Sequence, residues 1–393
     1  MRGTVTLPGD KSISHRVAML AAIADGACRF RNFNSGADCA STLACLAALG
    51  AEVERDSEVR LRPHAFRSPE AALDCGNSGS TIRMLTGLLA GLDVPATLTG
   101  DESLLRRPMK RVVDPLRQMG AVIDLRDEQF APVVLRKGAG RAIEYEMPVS
   151  SAQVKSAVLF AGLRFPGTSV REPVQSRDHT ERLLAWLQVA PGPSFRVPHF
   201  DYDVPGDPSS AAFFIAGAML DPSSDLTIRN LLVNPLRTGF LRVLQRSGTQ
   251  IEVRNERVVC NEPVAEVRVR PGAGLSRIVI GPDEVPSLID ELPALSMLGT
   301  ACGFEVHGAA ELRHKESDRI SAMVENLRAM GISAIEFPDG FRVEPGTIQP
   351  RVARTRGDHR VAMAFAVAGM DIDDPACVNI SFPEFFTILR EIR

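Results

Sequence analysis

GDKSISHRVAMLAAIADG, residues 9–26, opens on charged and hydroxyl side chains and then runs apolar for about three helical turns. Five further stretches repeat the design: CGNSGSTIRMLTGLLAG (75–91), VSSAQVKSAVLFAGL (149–163), GDPSSAAFFIAGAML (206–220), VPSLIDELPALSMLGTACG (285–303) and GDHRVAMAFAVAGM (357–370). A helix that is apolar on every side belongs in the interior of a fold, so these stretches predict interior helices. Short strand-like segments follow them, such as CRFRNF (28–33), TSVREP (168–173), LTIRNLLV (226–233) and FEVHG (304–308).

A second, amphipathic helix comes next in each copy. Met109, Val112, Val113, Leu116 and Met119 keep the i, i+3, i+4, i+7 spacing of one buried face. Ile320, Met323, Val324, Leu327 and Met330 repeat it position for position, and Leu236, Phe240, Val243 and Leu244 come close to it. Gly50, Gly120, Gly248 and Gly331 stand where a left-handed residue would end these helices. AEVERD (51–56), AVIDL (121–125), TQIEV (249–253) and SAIEF (333–337) then read as strands. The third copy departs from the pattern, ending at Pro191. The chain is therefore read as α/β, a layered unit of about 55–80 residues repeated along the sequence. The periods are too unequal for a solenoid. Two domains of three units suit 393 residues, with a boundary near Tyr202–Gly206.

Composition narrows the function. A net charge of −3 argues against wholesale nucleic-acid binding, and two tyrosines with one tryptophan offer little surface for stacking bases. No apolar run reaches the ~18–20 residues of a membrane span. MRGTVTLPGDKS lacks the apolar core of a signal peptide, so export is not expected. Seven cysteines, with no CxxC pair, read as reduced thiols of a cytoplasmic protein rather than as a disulfide framework or a zinc site. His15 and His359 have no HExxH partner, so no metal is expected, and there is no GxSxG elbow.

The polar helix starts remain to be explained. Free N–H groups and a partial positive charge make a helix N-terminus attractive to anions. Lys11, Ser12 and Arg16 suit a phosphate or carboxylate, although Ser12 is equally readable as a plain N-cap. In Asn77-Ser78-Gly79-Ser80, Gly79 permits either a close ligand or a tight turn. Arg106 and Arg107 precede a helix read as having Pro108 at its first position; there an anion would relieve them, or solvent would. Ser150-Ser151-Ala152-Gln153 and Ser176-Arg177-Asp178 add donors at two more helix starts. His314-Lys315-Glu316-Ser317-Asp318-Arg319 mixes both charges before an amphipathic helix, and Asp358-His359-Arg360 repeats the arrangement.

Together LPGDKSISHR, GNSGSTIR, RRPMKRVVDPL, SSAQVKSAVL, SRDHTE, SLIDELPAL, KESDR and DHRVAMAF resemble, in order, the 5-enolpyruvylshikimate-3-phosphate synthase family over essentially the whole chain. The resemblance implies two domains, each of three βαβαββ units with inward-pointing helix N-termini, an inside-out α/β barrel. It assigns residues 10–203 to one domain and 1–9 plus 204–393 to the other, with the active site in the cleft between them and closure excluding water. It implies transfer of the enolpyruvyl group of phosphoenolpyruvate to the 5-hydroxyl of shikimate 3-phosphate by addition and elimination, without a cofactor. It also implies a monomer that acts on small molecules alone, with neither nucleic acid nor membrane as partner.

By the same resemblance Lys11, Ser12, Arg16, Ser151, Gln153, Ser176, Asp290 and Lys315 should hold shikimate 3-phosphate. Lys11, Gly79, Arg107, Gln153, Arg319 and Arg360 should hold phosphoenolpyruvate. Asp290 is implied as the base on the 5-hydroxyl, Glu316 as the proton donor to the methylene carbon, and Lys11 as an assistant in proton transfer. Ala152 and Ile380 depart from the family, standing where many members have serine and lysine. Gly79 should leave room for glyphosate. The nearest rival is an enolpyruvyl transferase for a UDP-linked amino sugar; it starts its first helix Lys-Asn, whereas Ser12 follows Lys11 here. An RNA-terminal cyclase would need a basic face. A bare anion-binding module would not need both Asp290 and Glu316.

Overall fold

A computed structural model describes residues 1–272 and 274–393. The chain forms two compact units, Gly9–Val204 and Met1–Pro8 with Pro205–Arg393. Helices α1 (Lys11–Ala21), α2 (Ala37–Ala48), α3 (Gly79–Leu92), α4 (Lys110–Gln118), α5 (Ala152–Ala161) and α6 (His179–Trp186) belong to the first. The second holds α7 (Pro208–Met219), α8 (Gly239–Arg246), α9 (Leu292–Cys302), α10 (Arg319–Ala329), α11 (His359–Val367) and α12 (Phe385–Ile392).

The repeat shows in the sheets. Asp201–Asp203 runs parallel to Cys28–Arg31, which is followed across the sheet by Val59–Arg62 and Glu52–Arg55, both antiparallel. The same order, one parallel outer strand beside a returning hairpin, recurs in Leu73–Asp74, Ala96–Thr99, Phe130–Arg136 and Val122–Arg126. In the other unit it recurs in Arg2–Thr6, Asp225–Leu232, Glu262–Arg270 and Gln250–Val259. Ile278–Ile280, Phe304–Val306, Gly340–Val343 and Ala334–Phe337 give it a fourth time. The last copy of each unit is reduced, to the pair Glu144–Glu146 and Ser169–Arg171 and to a single bridge from Ala353 to Ile372. Val122–Arg126 alternates exposed and buried side chains, as a strand with one face on helices and one in water must.

The odd-numbered helices form the interiors. Every residue of α7 is buried, and α3 approaches α5 so closely that a Cβ on Gly87 would lie 2.2 Å from Ala157 O. Gly91 meets Ala161 in the same way one turn later, at 2.6 Å. The even-numbered helices bury one stripe each: Met109, Val112, Val113, Leu116 and Met119 are all interior, as are Ile320, Met323, Val324, Leu327 and Met330. Gly50, Gly120, Gly248 and Gly331 follow these helices with φ of +116°, +92°, +98° and +81°.

Two expectations need correction. Leu236 lies outside α8 and is only half-buried, because Asn234 Oδ1 accepts from the Leu236 N–H and folds that segment into a turn. Pro108 is not the first residue of a helix: α4 begins at Lys110 after Met109, and Pro108 instead bridges to Phe130. The polar helix starts do include plain caps. Asp10, Ser78, Ser151, Asp207 and Asp358 each accept a backbone N–H from their own helix's first turn. What capping leaves unexplained is the set of charged and amide side chains beyond the caps. No helix among the described residues is long and apolar enough to cross a membrane.

Candidate active site

In the unit Gly9–Val204 the sequence-predicted residues gather at the starts of α1, α3 and α5 and in the segments leading into α4 and α6. Asp10 caps α1, so Ser12 is not the cap; its hydroxyl lies 3.4 Å from Arg177 Nη1. Lys11 Nζ is 2.7 Å from Asp38 Oδ2, in the first turn of α2. Arg16 is 3% exposed and binds protein groups on three helices: Ser12 O at 2.7 Å, Ser156 Oγ at 2.7 Å and Thr180 Oγ1 at 2.8 Å. It therefore frames this region as much as it faces it.

Gly79 is the first residue of α3 and is helical, so the tight-turn reading falls away. A Cβ there would lie 2.7 Å from Arg83 Nη1 and 3.5 Å from Arg107 Nη1, so the glycine opens a gap between two guanidiniums. Arg107 is held by Asn77, whose carbonyl accepts at 3.2 Å and whose Oδ1 accepts at 2.6 Å. Arg83 donates to Gln153 Oε1 at 2.8 Å, and Gln153 Nε2 donates to Ser80 Oγ at 2.9 Å. Ser151 caps α5. Ser176 gives its hydroxyl proton to Glu172 Oε2 at 2.7 Å, and buried Lys155 bridges Glu172 and Glu181 at 2.7 and 2.8 Å.

In the other unit five of the predicted residues meet in one cluster. Arg319, at the start of α10 and 1% exposed, contacts Asp358 Oδ2 at 2.8 Å, Asp290 Oδ1 at 3.4 Å, and Glu316. Lys315 Nζ and Arg360 Nε approach the same Asp290 oxygen at 3.8 and 3.9 Å. Arg360 Nη1 also donates to the Asp290 carbonyl at 3.0 Å, tying the start of α11 to the turn before α9. Burial pushes the Arg319 guanidinium towards losing its proton, yet the charges of Asp358, Glu316 and Asp290 together hold it above its ordinary value. Three carboxylates, Asp290, Glu316 and Asp358, thus sit among three cations, a constellation able to exchange protons beside bound anions. Ile380 ends a short 3₁₀ turn, Pro375–Ile380, and packs against the core, so it adds apolar surface where a lysine would add charge.

Sequence reasoning passed over Arg83, Asp38, Glu172 and Lys155. Arg83 had a signal: it stands four residues after Gly79, hence on the same helix face one turn on, in an otherwise apolar stretch. Lys155 stands in the same relation to Ser151.

The fold recurs in the enolpyruvyl transferase NikO of Streptomyces tendae, with a TM-score of 0.78 over 99% of this chain and 94% of that one; at 16% identity the likeness concerns architecture alone. Residues 1–389 match the family model of EPSP synthase (3-phosphoshikimate 1-carboxyvinyltransferase). A 3-phosphoshikimate 1-carboxyvinyltransferase of Desulfitobacterium hafniense is 44% identical over 416 residues, covering 100% of this chain and 95% of the relative. The EPSP synthase structure from Acinetobacter baumannii superposes with a TM-score of 0.86 at 36% identity, covering 100% of this chain and 95% of that one. The chain belongs to the EPSP synthase (3-phosphoshikimate 1-carboxyvinyltransferase) family. It is a transferase of the shikimate pathway, which supplies aromatic amino acids: the enolpyruvyl group of phosphoenolpyruvate passes to the 5-hydroxyl of shikimate 3-phosphate, and phosphate is released.

Proposed function

We propose that both clusters bind the anionic substrates and that the second also supplies the base and the proton donor, the carboxylate pair Asp290 and Glu316 on Arg319 being the observation that carries this reading. Lys11, Ser12, Arg16, Ser151, Gln153, Ser176, Asp290 and Lys315 hold shikimate 3-phosphate; Lys11, Gly79, Arg107, Gln153, Arg319 and Arg360 hold phosphoenolpyruvate. Each substrate brings a phosphate and a carboxylate, and guanidiniums suit both by paired hydrogen bonds. Asp290 takes the 5-hydroxyl proton as that oxygen attacks C2 of phosphoenolpyruvate. Glu316 protonates the methylene carbon, giving a tetrahedral adduct. Glu316, now a carboxylate, takes back one methyl proton and so reforms the double bond, while Lys11 assists proton transfer at the bridging oxygen and phosphate leaves with the proton first taken from the hydroxyl. The enzyme works as a cytoplasmic monomer on these small molecules.

Exchange of the phosphoenolpyruvate methylene hydrogens in D₂O tests the assignment of Glu316. The Glu316→Gln enzyme is expected to lose about 10²–10⁴-fold in both exchange and turnover. Undiminished exchange would move the proton donor elsewhere.

Gly79 carries a second expectation. Alanine there presses its methyl against Arg83 Nη1, 2.7 Å away, which must shift, while Arg107 Nη1 at 3.5 Å stays in ordinary contact. Gly79→Ala should weaken inhibition by glyphosate more than it raises KM for phosphoenolpyruvate. Equal inhibition of the two enzymes would remove Gly79 from that role.

A further inference from the structure

One turn below the helix starts lies a set of buried polar side chains that the reaction does not use. His15 of α1 has Nδ1 2.7 Å from Thr42 Oγ1 of α2. Thr42 Oγ1 lies 2.6 Å from Thr81 Oγ1 of α3, and Thr81 donates to Ser78 Oγ at 2.7 Å. Ser78 caps α3 and precedes Gly79. All four side chains are wholly buried.

The chain has a direction. A hydroxyl has one proton to give. That of Thr81 is shared between Ser78 Oγ and the Asp38 carbonyl, at 2.7 and 3.3 Å, so Thr42 gives its own to Thr81, and the His15 Nδ1–H serves Thr42. The Nε2 of His15 then bears a lone pair, and this atom is buried without a partner. A bare buried acceptor is better tolerated than a bare N–H, so the unpaired nitrogen supports the same tautomer. Burial first, then the charges of Lys11 and Arg16, push the imidazole well below its ordinary pKa and keep it neutral.

The geometry also repeats along the helices. Lys11 and His15 are four apart on α1, as Asp38 and Thr42 are on α2, so Lys11–Asp38 and His15–Thr42 are successive rungs of one helix contact. Thr81 Oγ1 lies 3.3 Å from the Asp38 carbonyl, which ties α3 to the upper rung as well.

We infer that His15 is a positioning residue: through the ordered Thr42–Thr81–Ser78 chain it fixes the starts of α1, α2 and α3 against one another and so sets Lys11 and Gly79 for phosphoenolpyruvate. This rests on the assignment of Lys11 and Gly79 to that substrate. An apolar side chain would fill the same space, but it would leave Thr42 without its donor and the chain without its direction.

Steady-state kinetics of His15→Leu, His15→Asn, Thr42→Val and the Leu/Val double variant, with Lys11→Met alongside, test the inference. Asparagine carries an amide nitrogen near the place of Nδ1 and can renew the bond to Thr42; leucine cannot. His15→Leu and Thr42→Val should each lower kcat/KM for phosphoenolpyruvate about tenfold, roughly the worth of one buried hydrogen bond. The double variant should fall no further than the worse single one, and His15→Asn should stay within about threefold of the parent. Equal losses for Asn and Leu, additive losses in the double variant, or an unchanged His15→Leu enzyme would each overturn the inference. Should His15→Leu not fold, Thr42→Val decides alone: a tenfold loss supports the inference and no loss overturns it. Full activity in Lys11→Met would instead refute the substrate assignment, whatever His15 shows.

Discussion

Asparagine in place of Asp290 is expected to lower kcat by about 10²–10⁴-fold, the range that one positioned base supplies. Its Oδ1 could still accept from Arg319 at 3.4 Å, with Lys315 and Arg360 nearby at 3.8 and 3.9 Å. What disappears is the ability to take a proton, along with one negative charge among three cations. Those cations then have more positive potential to offer the anionic substrates, so KM for phosphoenolpyruvate should stay level or fall. The loss belongs in kcat, which identifies an interaction made only as the reaction proceeds. A raised KM with kcat intact would confine Asp290 to binding and leave the base unassigned.

Methionine at Arg319 should act mainly on stability. The guanidinium is 1% exposed and joins Asp358, itself 0% exposed, to Asp290 and Glu316. Removing the cation leaves Asp358 and Glu316 without their shared guanidinium in a poorly solvated place, with Asp290 kept only near Lys315 and Arg360, and breaking such a buried set costs about 3–5 kcal/mol. Against a typical domain stability of about 5–15 kcal/mol, that is a large share. Lysine should recover only part of it, since one ammonium cannot present the planar fork that meets several carboxylates at once. Urea unfolding of the unit Met1–Pro8 with Pro205–Arg393, followed apart from Gly9–Val204 within the full chain, gives the measurement. A variant within about 1 kcal/mol of the parent would show that solvent reaches these carboxylates freely.

Much of this architecture is readable before any coordinates. A helix apolar on every side has few homes other than an interior, and its recurrence betrays the repeat. The i, i+3, i+4 stripe of Ile320–Met330 and the glycine after it mark an outer helix just as plainly. Local pattern fails where a distant partner decides the outcome. Pro108 looks like a helix start until its bridge to Phe130 is known. Ser12 looks like a cap until Asp10 is seen in that place.

The site divides along the same line. Lys11, Asp290, Glu316 and Arg319 stand out by charge at helix starts and by resemblance to a family. Their partners do not: Lys11 finds Asp38 27 residues away, Gln153 finds Arg83 70 away, and Arg16 finds Thr180 164 away. Such pairings depend on how repeats stack, and no local window contains that information. The hydroxyl chain from His15 is hidden for the same reason, because Thr42 and Thr81 look like ordinary interior threonines in their own helices.

The most direct test is phosphate release from phosphoenolpyruvate by the purified full chain, with shikimate 3-phosphate as acceptor and, in parallel, UDP-N-acetylglucosamine. Release with shikimate 3-phosphate alone, lost in Asp290→Asn, is the predicted result. Release with the amino sugar nucleotide, or none with either acceptor from folded protein, would contradict it.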